Sequence, residues 1–121
     1  MKVDVGSFTL TDGGPYSFHD ETFTAKLMIF VSGKDLTTGS NLSIGASDGT
    51  NERCISSLYD TSKKTDFDYT KAILHYLNVS GTADKKLDAS GLDLSTTGEF
   101  AFTNYPTVDS TIPIMYIAIG E

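Results

Sequence analysis

One antiparallel β-sandwich spanning residues 1–121 is the fold class this sequence predicts, and three observations predict it. Apolar residues arrive in short bursts of strand length, not in helical stripes. Those bursts are punctuated by Asp-Gly, Gly-Gly and Ser-Gly, with glycine, serine, threonine and aspartate plentiful throughout. The most apolar stretch of all, Ile112-Pro-Ile-Met-Tyr-Ile-Ala-Ile-Gly120, is nine residues long, whereas a helix crossing a bilayer needs about 20. Little helix is expected. A chain of 121 residues can bury a real core without disulfides or metal.

In order along the chain, Lys2 to Leu10 carries Val3, Val5, Phe8 and Leu10, a first strand whose apolar register changes at Gly6, where a bulge is expected. Thr11 to Pro15 is a turn. Tyr16 to Phe23, polar and aromatic, fits a short edge strand or a loop. Ala25-Lys-Leu-Met-Ile-Phe-Val31 is the second strongest strand signal, and Lys34 to Asn41 reads as a polar loop around Gly39. Leu42, Ile44 and Ala46 then alternate with Ser43, Gly45 and Ser47, which gives one buried face and one wet or tightly packed face.

Asp48-Gly49 turns the chain into a strand from Glu52 to Tyr59, followed by a charged loop from Asp60 to Asp66. Thr70 to Val79 fits a helix template as well as a strand; its β-branched and aromatic neighbours favour the strand. Short strands are expected around Leu87, at Ser90 to Leu94 and at Gly98 to Phe102, for a total of about eight or nine at sandwich-like spacing. Both faces of the final strand, Ile114 and Tyr116 on one and Met115, Ile117 and Ile119 on the other, call for apolar cover. Pro113 cannot donate to a ladder, so pairing should begin near Ile114. The expected core joins Leu27, Ile29 and Phe30 to Ile114, Tyr116 and Ile117.

The net charge of −7 argues against nucleic acid and against an anionic membrane as partners, because both are bound by clustered Lys and Arg. The lone cysteine, Cys54, reads as a small core hydrophobe. The opening Met-Lys-Val-Asp-Val-Gly has no apolar run of signal-peptide type, so synthesis in a bacterial or host cytoplasm is expected.

Motifs that carry chemistry dissolve on inspection. Gly45-Ala-Ser47-Asp-Gly49 spells a nucleophile elbow, but that motif works at a strand-to-helix turn, and here it meets a hairpin; Ser47 reads as a turn serine. His19 and His75 lie far apart with no metal-ligand partner at useful spacing. Asp48, Asn51 and Glu52 lack the interleaved pattern of a calcium loop and read as turn-capping residues. Asn41-Leu-Ser43 and Asn78-Val-Ser80 match the glycosylation acceptor, which means nothing without a secretory route. No catalytic, cofactor or metal residues are assigned. Tyr16, Phe18, Tyr59, Phe67, Tyr69 and Tyr105 fall in or beside expected loops, where a binding surface would place aromatic rings; packing beneath those loops is the plainer account.

Phe23-Thr-Ala-Lys26-Leu-Met-Ile-Phe30-Val-Ser-Gly33 resembles the G-F-x-P-K-A-V-I-F-W strand of a family of small β-sandwich virion proteins and repeated domains of tailed bacteriophages. Asn41 to Arg53 is similar to that family's next block, an S-x-G-F strand with a turn and a Q-R pair. Asp88 to Leu94, Gly98 to Phe102 and Ile114 to Gly120 resemble its closing D-G-F-T-L-N … Y-L-A-L-G pattern. Ala25 stands where the family has proline and Val31 where it has tryptophan, and the chain has no tryptophan. The closing strand also resembles the trimeric H-type lectins, from which no sugar-binding position carries over.

The resemblance implies a jelly-roll-like or H-type-lectin-like sandwich and a non-enzymatic virion protein made in the host bacterial cytoplasm. Head (capsid) decoration through protein contacts is the expected role. The expected partners are other virion proteins of capsid or tail, together with further copies of the chain, a trimer by analogy. The competing role is a receptor-binding module at a tail fibre or tail tip that takes a host glycan. A fibre needs a stem, for which 121 residues filled by one sandwich leave no room, so decoration is preferred.

Overall fold

The computed structural model describes residues 1–10, 16–20, 22–36, 39–59, 64–68, 70–77, 85–95, 99–104 and 112–121, with side chains at 1–9, 22–33, 41–57, 70–73, 89–95, 102 and 112–121. These residues carry strands β1 (Lys2–Leu10), β2 (Tyr16–Asp20), β3 (Ala25–Leu36), β4 (Gly39–Ser47), β5 (Glu52–Tyr59), β6 (Lys64–Asp68), β7 (Ile73–Leu77), β8 (Lys85–Asp93), β9 (Glu99–Asn104) and β10 (Ile112–Gly120). No helix occurs among the described residues.

The strands form a six-stranded sheet in the order β1-β10-β3-β4-β5-β6 and a four-stranded sheet in the order β2-β9-β8-β7. Every pairing is antiparallel. Both sheets contribute to one apolar core: Met28, Phe30, Ile112, Ile114, Tyr116 and Ala118 from the first, Ile73, Ala89, Leu92 and Phe102 from the second. Phe30 and Phe102 meet across the gap with ring centroids 5.5 Å apart and a 45° tilt, a favourable aromatic geometry. Glu52, buried on β5, accepts a hydrogen bond from the backbone N–H of Leu92 at 2.9 Å, so a polar tie also links the sheets.

The final strand sits inside its sheet, as its apolarity suggests, between β1 and β3. Its pairing with β3 begins at Ile114↔Ser32, beyond Pro113, while the β1 side continues through Thr9↔Pro113. Its two faces are not both covered, however. Ile112, Ile114, Tyr116, Ala118 and Gly120 are buried, whereas Met115 and Ile117 are exposed, because the six-stranded sheet has a partner sheet on one face and solvent on the other. The expected core is therefore corrected: Phe30, Ile114 and Tyr116 are in it, but Ile117 points away, with Leu27 and Ile29 only half-buried.

Gly6 holds no bulge, since β1 keeps one register against β10 from Lys2↔Gly120 to Leu10↔Ile112. The apolar pattern changes face there because Val3 and Val5 are exposed while Phe8 packs on the core. Gly6 is glycine because the Tyr116 ring occupies the space of a side chain, and Tyr116 donates from its hydroxyl to Asp4 Oδ2 at 3.2 Å. The polar segment around Gly39 is mostly strand, with β3 running to Leu36 and β4 starting at Gly39. Part of the charged loop is strand as well, at Lys64–Asp68. The two short strands expected near Leu87 and Leu92 are one, β8, whose first half pairs with β7 up to Ala89 and whose second half pairs with β9 from Ser90, next to Gly91 with its φ of 70°.

Candidate functional site

The alternation along β4 has the opposite sense from the usual one. Asn41, Ser43 and Ser47 are buried, while Leu42 and Ile44 are about half exposed. The neighbours repeat this: Ser32 and Ser56 face inward, Val31 and Ile55 outward. Small inward residues are needed because the segment leading into β7 lies directly on this sheet, with the Ala72 carbonyl against Gly45. Period-2 geometry then sends the β-branched residues to the other face.

Registers line these outward residues into rows. Ser7, Met115, Val31, Ile44 and Ile55 are successive cross-strand partners, and the same register continues to Phe67 of β6. A second row runs Val5, Ile117, Ile29, Ala46 and Arg53. A third begins Val3, Ile119 and Leu27. Val3, Val5, Val31, Leu42, Ile44, Ile55, Met115 and Ile117 are between 37% and 62% exposed. Together they leave roughly 700 Å² of apolar surface open, above the 300–600 Å² of the largest patch on a typical monomer. Arg53 is the one charged side chain among the described members of these rows.

Of the aromatics singled out in the sequence, Tyr69 and Tyr105 lie outside the described residues. Tyr16 begins β2 and Tyr59 ends β5, each at the end of a strand, while Phe18 and Phe67 lie within β2 and β6. Phe18 stands where β2 shifts register against β9. β2 and β6 are end strands of different sheets, so the backbone does not gather the aromatics into one platform. His19 and His75 fall on β2 and β7, opposite ends of the four-stranded sheet.

Ser47 is buried and its Oγ accepts from the N–H of Gly49 at 3.1 Å, in a turn that places Gly49 at φ of 86°. Asp48 caps the same turn: Oδ1 accepts from the N–H groups of Thr50 and Asn51 at 2.8 and 2.6 Å, and Oδ2 from Asn51 Nδ2 at 3.0 Å. The Asn51 side chain, then the Asn51 and Thr50 amides, hold the Asp48 carboxyl down at about 2. Asp93 is lowered in the same manner by the Ser95 hydroxyl and amide. A shallow hollow of about 330 Å³ lies between Asp48 and Asp93, each carboxylate turned to its own loop. Glu52, the third oxygen considered for calcium, is committed to Leu92. Cys54 is buried, as a small core residue would be, and so is Asn41 of the first glycosylation triplet; Asn78 lies outside the described residues.

No sequence site anticipated the apolar sheet face. The signal was present in Leu42-Ser-Ile44 and Ile55-Ser-Ser57, where the alternation does not say which side is wet. Compared with protein-family models, with curated proteins and with solved structures, the chain matches none.

Proposed function

We propose that this protein is a non-enzymatic structural component of a bacteriophage virion, a β-sandwich of jelly-roll-like or H-type-lectin-like form that decorates the particle surface through protein–protein contacts. One observation carries the assembly half of this reading: the apolar, nearly uncharged rows across the outer face of the six-stranded sheet. A chain with a net charge of −7 has ample polar residues to cover that face, yet it presents valine, leucine, isoleucine and methionine. Exposed apolar patches of this size mark interaction sites, protein–protein contacts among them. The phage half rests on the resemblance of the Phe23–Gly33, Asn41–Arg53 and Ile114–Gly120 segments to virion proteins, and the head is preferred to the tail as the place of decoration.

The test is removal of the gene from a phage that carries it. Particles should still form but lose integrity sooner on heating or at low salt, and should adsorb to host cells normally. Unchanged particle stability with lost adsorption would replace decoration by receptor binding.

A further inference from the structure

We infer that the partner on the outer face of the six-stranded sheet is a second copy of this chain, stacked sheet against sheet about a two-fold axis near Val31 and Ile44. The inference rests on the assembly reading above and deepens it.

Three features select a second copy. The first is area: the roughly 700 Å² left open is close to the about 800 Å² that each partner buries in an interface of standard size. The second is charge. A foreign partner recognises an acidic protein through complementary charge, which sets encounter rate and selectivity. Among the members of this face whose side chains are described, from Val3 to Ile119, there is no carboxylate; Asp35, in the same register of β3 opposite Ser40, lies beyond Gly33, and Arg53 stands at the other margin, opposite Ala46. Most of the acidic residues lie elsewhere, so two copies can bring the apolar rows together without opposing like charges. The third is shape. Two sheets of the same twist pack face to face at about 30°, some 10 Å apart, and a face that meets its own copy satisfies this by symmetry.

Beside the bulky row Met115, Val31, Ile44 and Ile55 there is one small position on each side, Gly33 opposite Leu42 and Ala46 between Ile29 and Arg53. A two-fold axis beside the row lets each copy's ridge lie over the partner's small positions. Such an interface is isologous and closes at two copies, in contrast to the trimer that the lectin resemblance suggests.

Sedimentation equilibrium over a dilution series, paired with methyl NMR of the same samples, tests this. The expected result is a particle of twice the 13.0 kDa chain mass that dissociates on dilution, with shifts in the methyls of Val31, Ile44, Ile55 and Met115. Ile44→Glu and Val31→Glu, at sites about half exposed in the single chain, should each give a monomer with the circular dichroism of the parent. A wild-type monomer at all concentrations, a trimer, or a dimer whose dilution shifts lie away from this face would overturn the inference, whether or not the variants fold. A monomer that still restores stability to particles lacking the protein would overturn the dimer alone. A dimer whose loss leaves particle stability unchanged would overturn the decoration role alone.

Discussion

The backbone carbonyl of Ala72 lies in the space that a side chain at Gly45 would fill. This contact sets how closely the segment before β7 approaches the six-stranded sheet, and it involves backbone, which cannot swing aside as a side chain can. Gly45→Ala should therefore destabilise by at least the roughly 1–3 kcal/mol typical of overpacking, read as a lower denaturation midpoint with the slope unchanged. Parental stability in this variant would mean that the two segments are farther apart.

Ile114 and Ile117, three residues apart on β10, should respond oppositely to aspartate. Ile114 is fully buried between the sheets, so Ile114→Asp places an unpaired charge in the core at a cost of several kcal/mol, comparable to a domain's total of roughly 5–15. Ile117 faces outward, and Ile117→Asp should cost about 1 kcal/mol in the isolated chain, the span of strand preferences. Thermal unfolding followed by circular dichroism separates the two. A folded Ile114→Asp protein would show that the sheet faces are assigned the wrong way round.

Ser56 is fully buried and its Oγ has no hydrogen-bond partner. Ser56→Ala removes a desolvated hydroxyl at little loss of volume and should leave stability unchanged or raise it by up to about 1 kcal/mol. A clear loss in a urea melt would reveal a partner for that oxygen.

Asp48 supplies a pH dependence with a definite sign. Its folded pKa, about 2, is below the ordinary aspartate value of 3.8, so the stabilising contribution of the capped turn is present above 3.8 and is lost as pH falls toward 2. Asn51→Ala removes the largest cause of the lowering, and the carboxyl should then titrate at higher pH in ¹³C NMR. An unmoved titration would assign the effect to the backbone amides alone.

How much of this was legible in the sequence can be read from particular residues. The all-β texture and the interior position of Ile112–Gly120 followed from apolar runs too strong for an edge. Which face was wet did not follow. The usual assumption that apolar means inward fails at Leu42, Ile44 and Ile55, because inward positions there must be small to admit Ala72. The candidate surface was hidden for the same reason: it consists of residues a reader of sequence assigns to the core. Strand ends at Leu36, Gly39 and Lys64 were missed because polar residues on paired strands look like loop.

The place of β10 between β1 and β3 bears on how the chain is made. During synthesis the β1 and β3 segments emerge long before the strand that joins them, and residues 112–120 must clear the ribosome before either edge is capped. Until then, two strands of valine, isoleucine and phenylalanine have unsatisfied amides and carbonyls, a template for pairing with another nascent chain. Closure also joins residues nearly the whole chain apart, Val3 to Ile119 and Val5 to Ile117, a large loop entropy met in one late step. Joining β10 to β1 and β3 is accordingly expected to be the late and slow step of folding.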